Sequence, residues 1–506
     1  MIDLPDFTPV KVTQATRPYT ESQLAALDHV ALVLPKEPPG ALFARLPQGK
    51  QLHKLVERAR AQGLNRTFTR LSNTRATGVT AALLDASTPF ARLTWARELV
   101  ADCLRERPAK LGVLTAGLDE EARASAVAAI VAAVQAAAFK LPTFKTEEQP
   151  RPIELEQVGV LDAKPKLPLD RLRAEALGNN LARWLTVLPP NRLTVSAYRE
   201  MVEELARRYS LTYKFLGEKE LEKLGAGAFL AVARGNPHRD AGMIRLGYRP
   251  PGARRPELTL VGKGVLFDTG GINLKPFKGM LDMHMDMQGS AVALGTLIAL
   301  ATLRVPYGVD AWLAVTENTI SPSAYRSQDI VTAANGTSIQ VIHTDAEGRM
   351  ILADALALAA RDEPKLIIDY ATLTGSCISA LTQRYSGVFT NRPRAHPLLI
   401  DAGASSGERV WPFPMDEDFD QLLRSDVADI KQCAVEGHGD HILAARFLSR
   451  FVPKSIAWVH VDLAAGEHKG GLAHVPTDAT GFGVRLTLEL LGRSAPSAFA
   501  ESVADR

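Results

Sequence analysis

Residues 261–276 read VGKGVLFDTGGINLKP: an apolar run long enough for a strand breaks into glycines and carries Lys263, Asp268 and Lys275 through the turn. A strand that ends in a glycine-rich, charged loop is the pattern of an α/β sheet, where ligands gather beyond the carboxyl ends of the strands. Glycine lets backbone approach another group closely. The spacing is not that of a dinucleotide fingerprint, because Phe267 stands where a third glycine belongs, and it lacks the hydroxyl residue of a phosphate-binding loop. Taken alone, the segment is equally readable as a glycine turn with solvated charges.

Outward from it the alternation continues. Strands are expected near 229–233, 258–261, 311–315, 339–342, 366–370 and 457–461, with helices between, which predicts a mixed, helix-flanked sheet. The N-terminal part also alternates: strands near 29–34, 79–84, 111–115 and 158–161, and helices near 93–104 and 120–139. DAKPKLP at 162–168 combines two prolines with charge and reads as a linker. The fold class is therefore α/β in two domains: a smaller N-terminal α/β domain over 1–165 and a larger C-terminal domain over 170–506.

Composition narrows the function classes. A 506-residue chain that is 46% hydrophobic and 23% charged is an ordinary globular protein with room for more than one core. A formal charge of +3, with the basic residues scattered, does not imply nucleic acid. Cys103, Cys377 and Cys433 are too few and too far apart for a disulfide framework or a zinc ribbon. MIDLPD at the start lacks a basic, apolar secretory leader, so a cytoplasmic location is expected. The most apolar window, 124–139, falls short of the ~20 residues a bilayer needs and reads as a buried helix, so no membrane partner is expected.

Two more loops carry candidate chemistry. MLDMHMDMQGSA at 280–291 sets Asp286 among methionines just before a helix of small residues, and a carboxylate in apolar company needs either a partner or a helix-capping role. HTDAEGRM at 343–350 follows a strand and opens a helix; if extended, it would point Asp345, Glu347 and Arg349 at one locus. Acidic pairs on sheet-end loops fit a cage for divalent cations better than a surface ion-pair cluster.

Together these segments resemble the leucyl aminopeptidase (cytosol aminopeptidase) family of metallopeptidases. The family signature NTDAEGRL is present as HTDAEGRM, and VGKG, FDTGG, LKP and DMQGSA stand at the family's mutual spacing. Weaker likeness covers LPPNRLT (188–194), Glu317 with Asn318, ATLTG (371–375) and DATGFGVR (478–485), so the resemblance spans nearly all of 170–506. Over 1–165 only the α/β pattern matches, which in the family is a macro-like domain.

The resemblance implies an aminopeptidase that releases N-terminal amino acids, leucine- or methionine-like ones preferred, by attack of water activated by two metal ions. Lys263, Asp268, Asp286 and Glu347 would hold one ion, and Asp268, Asp345 and Glu347 the other. Lys263 would ligate as the neutral amine, with metal binding supplying the deprotonation. Carboxylates with one nitrogen suit manganese or zinc among several divalent ions. Lys275 would stabilise the oxyanion, and Arg349 would anchor a bicarbonate that serves as base. Met283, Thr372, Leu373, Gly375 and Ala464 would form the substrate pocket. A homohexamer acting on peptides is the implied assembly.

The chain departs from the family at several positions. His343 replaces asparagine, His284 stands where lysine is common, and Met350 replaces leucine. His438 and His441 lie in a segment that is less polar in relatives, and Glu467, His468 and His474 fall near the C-terminal pocket loop. These histidines are left out of the expected metal set. Two alternatives stay open: a two-metal phosphoesterase, which would commonly recruit histidine ligands, and a non-enzymatic DNA-architectural protein retaining the fold.

Overall fold

The computed structural model describes residues 4–146 and 154–504, so residues 1–3 of the N-terminal stretch lie outside the described residues. The chain forms two compact units, one of Phe7–Ala176 with Lys469–Asp478, the other mainly of Leu177–His468 with the segment from Ala479 onward. The helix Leu169–Thr186 carries the chain from the first into the second.

The first unit is built on a six-stranded sheet whose order is Lys11–Gln14, Gln157–Leu161, Lys110–Thr115, His29–Pro35, Gly78–Leu84, Arg66–Arg70. All neighbours pair parallel except the last two strands, so the sheet is mixed. HVALVLP at 29–35 is nearly continuous in apolar residues, as a strand covered on both faces must be. Helices Pro89–Leu104 and Glu120–Ala138 start where Thr88 Oγ1 and Asp119 Oδ1 accept from the amides of Ala91 and Ala122. The second of these is, by length and composition, long and apolar enough to cross a membrane, contrary to the shorter window read from sequence. Its residues from Ala126 to Val134 instead pack into the core with Leu93, Leu99 and Val113.

The second unit carries an eight-stranded sheet in the order Val410–Pro412, Ser386–Thr390, Ala457–Asp462, Leu366–Ala371, Pro256–Asp268, Gly308–Asn318, Gly242–Tyr248, Thr212–Gly217. The four central strands run parallel, and antiparallel pairs flank them. Helices Gln288–Leu303 and Glu347–Ala360 are apolar nearly all round and buried along most of their length, which is what a helix enclosed on every side requires. Close approach is possible because Gly262 and Gly289 lack side chains: a Cβ at 289 would lie 2.0 Å from the Tyr370 carbonyl oxygen. The parallel strands end together at Asp268, Asn318, Ala371 and Asp462, and Asp268 is in register with Asn318.

Two expected strands differ. Residues 229–233 lie in a helix, Gly227–Ala233, because a short apolar run has no periodicity to separate the two states; buried Asp354 accepts from the Phe229 amide and fixes the helical start. The strand expected at 339–342 is only Ser338–Gln340; beyond it the backbone is held by Gln432, whose Oε1 accepts from the amides of Ile342 and His343.

Candidate metal centre

The strand Pro256–Asp268 delivers two side chains to the sheet end: Lys263 from its middle and Asp268 from its last position, both buried. The turn that follows passes through Gly270 and Gly271 at φ +87° and +65°, a region other residues enter at a cost, and brings Lys275 back over Asp268. Thr344 ties this turn to the HTDAEGRM loop, since its Oγ1 donates to the Gly270 carbonyl at 2.7 Å and accepts from the Asn273 amide at 2.9 Å.

Asp286 precedes the helix Gln288–Leu303 but does not cap it, for the cap position is Met287, which makes no side-chain bond. Its carboxylate instead meets Lys263 Nζ at 2.8 Å and accepts from Thr372 Oγ1 at 2.7 Å. Glu347 opens its helix and places Oε1 2.9 Å from the same Nζ, which also donates to the Thr372 carbonyl at 2.9 Å. Lys275 Nζ lies 2.9 Å from Asp268 Oδ2 and 2.5 Å from Asp345 Oδ1. Oxygens of Asp268, Asp286 and Glu347 all fall within 4.8 Å of one another.

Two ammonium groups, Lys263 and Lys275, thus face four carboxylates, Asp268, Asp286, Asp345 and Glu347. With every group ionised, the carboxylates exceed the ammonium groups by two charges. Asp286 Oδ2 and Glu347 Oε2 are buried without a protein partner, which is costly unless something else binds them. Burial works against the charge on Lys263, yet Asp286, Glu347 and Asp268 hold its pKa well above the usual lysine range. Burial likewise opposes the Lys275 charge and the surrounding carboxylates outweigh it. Asp286, Asp345 and Glu347 are raised, first by burial and then by carboxylate neighbours that include Asp268 for each. An oxygen-rich cluster with excess negative charge and free lone pairs fits divalent cations.

Of the three residues of HTDAEGRM, Asp345 and Glu347 both reach the cluster, while Arg349 does not converge with them as an extended segment would make it. The helix begins at Glu347, so Asp345 goes to Lys275, Glu347 to Lys263, and Arg349 turns toward a different element. Buried Arg349 donates from Nη1 and Nη2 to the two oxygens of Asp440, at 2.9 and 2.5 Å, and from Nη1 to the Gln432 carbonyl at 3.3 Å. The fork expected to receive bicarbonate holds a carboxylate of the chain itself.

Of the expected pocket residues, Thr372, Leu373 and Gly375 follow the strand Leu366–Ala371 and Ala464 follows Ala457–Asp462, so all four sit at the same sheet end. Thr372 is bound to Asp286, and the Leu373 amide donates to Asp462 Oδ1 at 3.1 Å. Nothing lies within 4 Å of a Cβ built on Gly375, so it borders open space. Met283 is half-buried in the turn before Asp286. Sequence reasoning gave no role to Asn318, Gln432 or Asp440. Asn318 Nδ2 donates to Asp268 Oδ1 at 2.8 Å, and its place at the end of the neighbouring strand was the available signal. Among the described residues no histidine joins the acidic cluster; His343 Nδ1 accepts from the Asp345 amide and His441 Nδ1 is bonded to Ser376 Oγ.

Known proteins are similar to this chain over most of its length. The catalytic-domain model of the cytosol aminopeptidase family matches residues 180–488. A probable cytosol aminopeptidase of Syntrophotalea carbinolica is 42% identical over 375 residues, covering 72% of this chain and 75% of that protein. Another from Wolbachia pipientis is 37% identical over 362 residues, 70% and 72% of the two chains. Among solved structures, a variant of tomato leucine aminopeptidase superposes with a TM-score of 0.82 at 28% identity, covering 97% of this chain and 98% of that one. The bottromycin maturation enzyme BotP in complex with manganese gives 0.78 at 29% identity, covering 94% and 100%.

Proposed function

The chain belongs to the cytosol aminopeptidase family and is a metallo-exopeptidase of the leucyl aminopeptidase type, and from that premise we propose that it removes leucine- or methionine-like residues from the free amino ends of peptides. The observation that carries this reading is the sheet-end cluster of four carboxylates and two lysines, with Asp286 Oδ2 and Glu347 Oε2 buried and unpartnered. Lys263, Asp268, Asp286 and Glu347 would hold one divalent ion, and Asp268, Asp345 and Glu347 a second. Manganese, which BotP holds, and zinc are the candidates. When bound, such ions polarise a carbonyl and make water nucleophilic at neutral pH.

The chain's own residues do the rest. Lys275 is the more accessible of the two lysines, with 16% of its side chain exposed against 4% for Lys263, so it is the one able to donate to an oxygen that gains charge as the peptide carbonyl becomes tetrahedral. Thr372 fixes Asp286, and Asn318 fixes Asp268, so the carboxylates are held before substrate arrives. Met283, Thr372, Leu373, Gly375 and Ala464 form the side-chain pocket, with open space at Gly375 for a branched or long apolar group. A bicarbonate at Arg349 would have to displace Asp440. Assembly as a homohexamer and a cytosolic location accompany the reading, from the resemblance and from the relatives' names.

The test is hydrolysis of Leu-Gly and leucyl-p-nitroanilide by chelated protein before and after manganese or zinc is added, with N-acetylated substrates as controls. Metal-restored cleavage of the free-amine substrates alone is the expected result. Cleavage of the acetylated controls, or none of a wide N-terminal panel, would overturn it.

A further inference from the structure

Arg349 is 2% exposed, two positions along the helix from Glu347, and its two terminal nitrogens meet the two oxygens of Asp440 in parallel. That is the bidentate geometry in which a guanidinium binds a planar oxyanion, and a second carboxylate or carbonate would need the same two N–H groups. Asp440 is placed there by its local chain. Gly439 before it takes φ +63°, and Asp440 is the first residue of the helix Asp440–Ser449, where the free amides and the helix dipole favour a negative charge. Its side chain keeps 25% exposure, against 2% for that of Arg349. Burial tends to raise the Asp440 pKa, but Arg349 outweighs it and keeps the group ionised. An anion tethered by its own backbone competes with a dissolved one at the effective concentration of an intramolecular partner.

We propose that Asp440 is the resident anion of Arg349, so that this protein does not recruit bicarbonate or another external planar oxyanion to the fork. Asp440 then acts as a positioning residue, fixing the Arg349 guanidinium beside Glu347. The anion-binding statement stands on the Arg349–Asp440 geometry alone, whereas its consequence for catalysis rests on the aminopeptidase reading.

The experiment uses full-length zinc-loaded protein in carbonate-depleted buffer, with isotope-labelled bicarbonate followed by NMR and leucyl-p-nitroanilide hydrolysis measured in parallel. Wild type should show no saturable bicarbonate binding and an unchanged rate on adding it. Asp440→Gly and Asp440→Ala, two variants so that a folding defect in one leaves the other informative, should gain saturable binding that a further Arg349→Met removes. Their activity should fall about 10- to 100-fold and return on adding bicarbonate. Saturable binding to wild type that Arg349→Met abolishes would overturn the proposal, as would variants that retain metal yet neither bind bicarbonate nor respond to it. A wild type without aminopeptidase activity would sink the functional reading, while the binding measurement would still decide this one.

Discussion

The Lys263 ammonium lies 2.8 Å from Asp286 Oδ1, inside the carboxylate cluster it is expected to share with a metal ion. In the metal-free protein it is therefore a counter-ion, charged because Asp286, Glu347 and Asp268 outweigh the burial that opposes it. An ammonium has no lone pair to offer. If Lys263 becomes a ligand, loading must release its proton and affinity must fall with falling pH. Calorimetry of zinc binding in buffers of different ionisation heat should show net proton release that drops by about one proton in Lys263→Met. Equal release from both proteins would mean that Lys263 stays an ammonium and only balances charge.

Gly348 sits against that lysine: a Cβ there would come within 2.7 Å of Lys263 Nζ and 2.8 Å of its Cε. Lys263 is enclosed and cannot swing clear, so Gly348→Ala should displace the amine from its seat. Alanine is the better helix former by about 1 kcal/mol, but crowding an enclosed side chain costs about 1–3 kcal/mol, so the fold should lose stability as well. The expected signature is a lower melting temperature of the metal-free protein together with metal affinity lowered about 10- to 100-fold. A variant that binds metal like wild type would show that the lysine has room to move.

How far the sequence revealed this site depends on the kind of residue. Lys263, Asp268, Asp286 and Glu347 were legible because each stands in a short motif with fixed spacing, and the structure brings those four together. Asn318 and Asp440 were not, because each acts through hydrogen-bond partners on other elements, Asp268 and Thr344 for the first, 50 and 26 positions away, and Arg349 for the second, 91 positions away. Position along the chain carries no such information. The strand Leu366–Ala371 was readable from its apolar run, whereas the equally apolar 229–233 became helix because Asp354, remote in sequence, caps its amides. The inclusion of Lys469–Asp478 in the N-terminal unit had no compositional mark at all.

Asn318 Nδ2 bridges Asp268 Oδ1 at 2.8 Å and the Thr344 carbonyl at 3.0 Å. It thereby ties one metal-site carboxylate to the loop that carries two others. Asn318→Ala should loosen both, lowering metal affinity about 10- to 100-fold, with activity recovered at saturating metal if the defect is one of binding. Activity that stays low once metal is bound would assign Asn318 to orientation of the loaded site.

Lys275 differs from Lys263 in contacting Asp268 and Asp345 from the exposed side. Lys275→Met should therefore keep its metal, measurable by elemental analysis, and lose about 100- to 1000-fold in kcat with KM little changed, the pattern of a donor used only as charge develops. A change confined to KM would make Lys275 a substrate anchor instead.

A pH dependence should arise outside the acidic cluster, at His29 in the N-terminal unit. The ring is fully buried, with Nε2 2.8 Å from Thr80 Oγ1 and Nδ1 without a partner. Burial, and to a smaller extent Arg70, pulls its pKa from 6.5 to about 4 even though Glu106 opposes the shift. Between those values the unfolded chain binds a proton that the folded one refuses, so acid favours unfolding. Stability should be full above pH 6.5, decline as pH falls toward about 4, and level off below it, where the folded ring also charges. The loss is on the order of 3 kcal/mol if the whole shift is expressed. Chemical denaturation across this range, compared with His29→Leu, should show the slope in wild type and a shallower one in the variant; identical slopes would assign the acid sensitivity to other groups.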